Sequence, residues 1–173
     1  MMRTTSLNGM LTSLATNYNR RNKNVRLYEL GNIYLPKQLP ITELPEERMQ
    51  FTLGMYGEGD FFSMKGVVEE FFEKIGMHEK ETYDPNAGKP YLHPGRQANI
   101  IYDGKVVGYL GEVHPEVADT YGIGERAYVA VLDMPEIIPY ATFDRKYTGI
   151  AKVPCCDKRY QYGSAKRDPG RTD

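Results

Sequence analysis

The side chains with the most chemistry to offer sit in one short string, His93-Pro-Gly-Arg96. A loop imidazole and a guanidinium beside a glycine can grip a phosphate, since the glycine admits close backbone approach while the side chains supply donors. A plainer reading fits the same residues: a tight turn entering a β-hairpin, with Arg96 paired to a carboxylate. Without a site around them, loop residues favour that plainer reading. His114 precedes Pro115 and reads as a helix-start residue, with no acid–base partner to be named for it. His78 follows a helical stretch and is expected to face solvent. Cys155 and Cys156 are adjacent, so they can bond to each other only in a strained ring, and they match neither a disulfide framework nor a zinc site. No His, Cys, Asp and Glu cluster has metal-ligand spacing, and there is no phosphate loop or nucleophile elbow. The chain offers no self-contained active site, and no cofactor is assigned to it.

The elements that position these residues belong to a chain of 173 residues, 40% apolar and 26% charged, which is the composition of one ordinary globular domain. Lys plus Arg number 22 and Asp plus Glu 23, so no global positive field draws in nucleic acid. No apolar run reaches the length of a membrane span and Met1–Ser6 lacks the apolar block of a secretion signal; a cytosolic protein that makes no membrane contact is expected. The 14 tyrosines, many at alternating positions, favour β structure.

Leu7, Met10, Leu11, Leu14 and Tyr18 recur at three- and four-residue intervals, which predicts an amphipathic helix over 8–21. Its basic end, Arg20, Arg21 and Lys23, suits a solvated helix C-terminus. Residues 25–35 read as strand with a turn or bulge at Gly31-Asn32, 36–48 as a polar surface loop, and 50–56 as a second strand. The clearest helix starts at Asp60, an N-cap, presents Phe61, Met64, Val67, Val68, Phe71, Phe72 and Ile75 on one broad face, and stops at Gly76. Residues 97–111 form a hairpin turning at Asp103-Gly104, His114-Pro115-Glu116 opens a short helix toward Tyr121, 126–132 is another strand, and 134–138 a helical turn. Without regular strand–helix alternation, an α+β fold with a mostly antiparallel sheet follows.

Several strings resemble one family in its order and spacing: Met2-Arg-Thr-Thr-Ser-Leu7, Asn17-Tyr-Asn-Arg-Arg21, Val25-Arg-Leu-Tyr-Glu-Leu-Gly31, Asp60-Phe-Phe-Ser-Met-Lys-Gly66, Tyr91-Leu-His-Pro-Gly-Arg96 and Gly108-Tyr-Leu-Gly-Glu-Val-His-Pro-Glu-Val117. The family is the β chain of bacterial phenylalanyl-tRNA synthetase, and the resemblance runs from Met2 to Pro154. Asn8 stands where the family usually has proline and is expected to cap the first helix. The resemblance implies a class II synthetase-like antiparallel sheet flanked by helices over 1–154, a catalytic-like module that assembles with the α subunit in a heterotetramer. It further implies that ATP and magnesium are used by the full complex and that tRNA is met through it. The first helix would be the class II dimerisation element, making Leu7, Met10, Leu11, Leu14 and Tyr18 the candidate interface, with self-association of this chain an open possibility.

Adenylate formation needs cations on the ATP phosphates and carboxylates for magnesium. Arg26 and Glu29 are similar to the arginine–acid pair of the second class II motif, with one extra residue between them, and are weak candidates for nucleotide contact alongside His93 and Arg96. Active class II chains carry a glycine-rich last strand followed by a helical arginine; here the strand is Tyr128-Val-Ala-Val-Leu-Asp-Met134. A non-catalytic module is therefore expected, against two alternatives: an active ATP-dependent ligase domain and a free-standing RNA-binding module.

After Pro154 the resemblance stops, and 155–173 is polar and charged. Codons for this segment, read from their second base, can spell Ala-Val-Thr-Arg-Asp-Ile-Ser-Met-Val, which resembles the opening strand of the family's ferredoxin-like anticodon-binding domain. A one-base frameshift near Pro154 is the reading taken, with a divergent natural tail as its alternative.

Overall fold

Residues 2–40, 42–77 and 80–142 are described by a computed structural model. His78, the cysteine pair and the segment 155–173, with the boundary at Pro154, lie outside them.

Helix α1 (Leu7–Asn19) leads into strands β1 (Val25–Leu35) and β2 (Glu46–Tyr56), then helix α2 (Phe61–Lys74). Strands β3 (Glu81–Asp84), β4 (Leu92–Tyr102) and β5 (Lys105–Val113) follow, then helix α3 (Pro115–Tyr121), strand β6 (Ala127–Asp133), helix α4 (Met134–Ile137) and a 3-10 turn at Ile138–Tyr140. The strands form one six-stranded sheet in the order β1-β2-β6-β5-β4-β3, antiparallel at every pairing.

Strand alternation divides the core into two layers. Leu53, Ile100, Leu110, Ala130 and Leu132 meet Met64, Val68 and Phe72 of α2 and Ile137 of α4. On the opposite face Val25, Leu92, Val113, Ala127 and Val129 meet Leu7, Met10, Leu11 and Leu14 of α1 and Ala118 of α3. β6 has both faces covered and is buried at every residue from Ala127 to Leu132, which explains its run of apolar residues.

Local chemistry sets the element ends. Asp60 accepts from the Ser63 N–H at 2.8 Å while Ser63 Oγ accepts from the Asp60 N–H, a reciprocal cap that starts α2. Asp103 and Gly104 both take positive φ, 50° and 79°, as the twisted two-residue hairpin turn requires.

Three expectations need correction, and one strand was missed. β1 runs through Gly31 and Asn32 without a turn, because β2 pairs with it in unbroken register from Val25↔Tyr56 to Leu35↔Glu46. That pairing also draws 46–48 out of the expected loop into β2. Asn8 lies inside α1 rather than capping it, and its side chain accepts from the Tyr121 hydroxyl. The residue before the helix, Ser6, spends its hydroxyl on Gln50 and Thr52 of β2 and does not cap α1; the Thr5 hydroxyl accepts from the Leu7 N–H at 3.2 Å instead. β3 was not foreseen: four residues are too few to show a period.

Candidate functional site

One level of the sheet, on the face that α2 covers, carries two of the candidate residues, Arg26 and Arg96. Arg26 of β1 pairs with Met55 of β2, Met55 with Tyr128 of β6, and Tyr128 with Glu112 of β5. Arg96 of β4 completes the row by donating to Glu112, from Nε to Oε2 at 2.5 Å and from Nη2 to Oε1 at 2.9 Å.

Glu112 is only 2% exposed. Burial pushes its carboxyl up, but the hydrogen bonds and charge of Arg96, with the charges of Arg126 and His93, outweigh burial and hold it below its ordinary value. The same contact raises the Arg96 guanidinium. Beside them the Tyr128 hydroxyl is raised, by burial first and then by the Glu112 charge. Bidentate, charge-assisted pairing of this kind leaves neither partner free.

The string His93-Pro-Gly-Arg96 is a bulge inside β4, where the register shifts between Leu92 and Gln97, and not a turn ahead of the strand. The bulge turns the Gly95 N–H back onto His93 Nδ1, 3.1 Å away, and aims Arg96 across at β5. Arg96 is thus paired to a carboxylate, as that part of the plainer reading has it, and the charge of His93 acts on the same group. His114 caps α3, its Nδ1 accepting from the Glu116 N–H at 3.3 Å.

Arg26 and Glu29 are not brought together. Three positions apart on an unbroken strand, they point to opposite faces. Arg26 lies on the α2 face with Nη2 3.4 Å from the Glu58 carbonyl, while Glu29 lies on the α1 face in an ion pair with Arg3. Arg26 and Arg96 share a face but stand on strands separated by β2, β6 and β5. At strand spacing that is about 19 Å, too far to share one phosphate group. Between Arg26 and α2 lies a cavity of about 160 Å³ whose walls are almost wholly apolar, lined by Leu27, Tyr28, Leu53, Met55, Met64 and Val67.

The expected interface helix is also corrected. Leu7, Met10, Leu11 and Leu14 are buried within this chain against its own sheet, and Tyr18 is half-buried, edge-on to Tyr56 with ring centroids 5.8 Å apart. The helix turns its apolar side inward because β1, β2 and α3 offer it a continuous apolar bed.

Glu112, Arg126 and Tyr128 were not singled out from sequence. A signal existed for Glu112, a lone carboxylate inside the apolar run Tyr109-Leu-Gly-Glu-Val113, since a buried carboxylate needs a cationic partner. Among the described residues no group of three His, Cys, Asp or Glu could hold a metal ion, and no helix is long and apolar enough to cross a membrane.

Comparison with known proteins gives a consistent result. The sequence profile of the phenylalanyl tRNA synthetase beta chain CLM domain matches residues 1–134. The phenylalanine–tRNA ligase beta subunit of Clostridium tetani is 39% identical over 158 residues, 91% of this chain and 20% of that protein. That of Clostridium acetobutylicum is 42% identical over 154 residues, 89% of this chain and 19% of that protein. The chain thus spans about a fifth of the curated relatives it matches. Among solved structures, a pyrrolysyl tRNA synthetase from Desulfitobacterium hafniense superposes with a TM-score of 0.62 at 11% identity, over 79% of this chain and 48% of that one. That likeness is one of fold: an α+β, class II synthetase-like antiparallel sheet flanked by helices.

Proposed function

We propose, from the premise that this chain belongs to the phenylalanyl-tRNA synthetase β-chain family, that it is a non-catalytic structural module of a phenylalanine–tRNA ligase. In this reading it supports attachment of phenylalanine to its tRNA by assembling with the catalytic α chain, in the cytoplasm, while ATP and magnesium are used elsewhere in the complex.

The observation that carries the reading is the commitment of Arg96 to Glu112. Activation of an amino acid by ATP concentrates negative charge on the phosphates, and a site for it presents cations and metal-binding carboxylates in open space. Here the best-placed carboxylate of the α2 face is buried and the best-placed cation is spent neutralising it. Arg26 stands about 19 Å away, next to an apolar cavity, and Glu29 is on the other side of the sheet. With α1 turned inward, the α chain must be met by other surfaces.

Co-expression with the α chain of a Clostridium relative tests the assembly. The reading expects the two chains to co-purify as a stoichiometric complex; an α chain that never retains this one, although both are soluble and folded, would overturn it.

A further inference from the structure

The outer edge of β1 carries an inference that does not depend on whether the chain is catalytic. Among the described residues, β1 is an edge strand of the sheet and hydrogen-bonds to β2 alone among the strands. Its far end is covered from within: the Tyr34 N–H donates to the Arg3 carbonyl at 2.8 Å, and Arg3 Nε donates to the Asn32 carbonyl at 2.8 Å. In an antiparallel ladder the N–H and C=O of one residue point to the same side. Unbroken register therefore turns the backbone of Leu30, Tyr28 and Arg26 outward as well, and the N-terminal segment does not reach them.

The side chains of these three residues lie on the α2 face, but α2 sits over the inner strands and leaves them bare. Tyr28 is 76% exposed and Leu30 55%. Natural edge strands are usually blunted by short length, charge or proline. This one has 11 residues and shows, on its α2 face, two large apolar side chains with a single charge, Arg26, beside an apolar cavity.

We propose that two copies of this chain pair antiparallel through the edges of β1, centred on Tyr28, and join their sheets into one. In that register Tyr28 faces Tyr28, Arg26 faces Leu30 and Leu27 faces Glu29, so an aromatic pair sits on the two-fold axis and no like charges meet. The register also uses only the open stretch. Asn32 of one copy comes opposite Asn24 of the other, which precedes the strand and turns away at φ 54°, so the N-terminal segments clear each other. A formal charge of −1 leaves no long-range repulsion between copies. The pairing adds about six backbone hydrogen bonds, two for each of three facing pairs.

Sedimentation velocity of the 173-residue chain from about 1 to 100 μM tests this. The expected result is a concentration-dependent dimer. Tyr28→Lys sets a charge opposite itself on the axis, and Leu30→Lys sets one opposite Arg26; each should raise the dimer Kd at least tenfold with an unchanged circular dichroism melt. Val106→Lys, at an exposed position of β5, should leave the dimer intact. A monomer throughout the range overturns the proposal and returns the edge to a strand of another protein. A dimer that both β1 variants retain, or that Val106→Lys abolishes equally, overturns it too.

Discussion

At Glu112, burial alone favours the neutral acid, yet two hydrogen bonds from Arg96 keep the carboxyl ionised and below its ordinary value near 4.5. A carboxylate depressed on folding stabilises the protein above its unfolded value, and that stabilisation is lost as pH falls through the folded one. Glu112→Gln is expected to cost about 1–2 kcal/mol at pH 7, less than for a fully buried pair because Arg96 keeps a third of its side chain in water. The cost should shrink as pH falls below 4.5 and through the lowered folded value, as urea melts of both proteins across an acidic pH series would show. A difference independent of pH would mean that Glu112 acts through packing instead. At this scale the sequence was half legible. Pairing of Arg96 to a carboxylate could be foreseen from its type; its partner, 16 residues away across a bulge, could not. Arg26 and Glu29 misled because similarity of residue type ignored the parity of a strand, in which one extra residue changes the face.

Among the elements, α1 and α2 were both visible as apolar stripes, but a stripe does not say what it meets. α2 was assigned to the sheet and lies there; α1 was assigned to a partner and lies on the sheet as well. Leu14 is fully buried, so Leu14→Ala is expected to destabilise the chain by about 2–5 kcal/mol in urea. Had this face met another chain, the substitution would weaken association and spare the stability of the monomer. Asp60→Ala removes the reciprocal cap with Ser63 and should lower the urea midpoint by the same assay, by less than Leu14→Ala does. Elements with local signals, the Asp60 cap and the Asp103-Gly104 turn, were readable to the residue. The continuity of β1 was not, since it depends on pairing with β2 across a loop, and Asn8 does not cap α1 because the helix already begins at Leu7, whose N–H donates to the Thr5 hydroxyl.

For the whole molecule, element order was enough to exclude a doubly wound sheet, and six strings in order were enough to indicate the family. The strand order was not legible: β2 and β6 are neighbours, with Tyr56 opposite Ala127, and nothing local to either segment announces the other. That long-range pairing is what aligns Arg26, Met55, Tyr128, Glu112 and Arg96 in one row and lets the row be judged as a site. The central proposal is that this row does not support adenylate chemistry. It is tested most directly by phenylalanine-dependent exchange of pyrophosphate into ATP, catalysed by the purified chain alone with magnesium present. The account predicts exchange indistinguishable from a protein-free control. Exchange that rises with chain concentration and requires phenylalanine would contradict it.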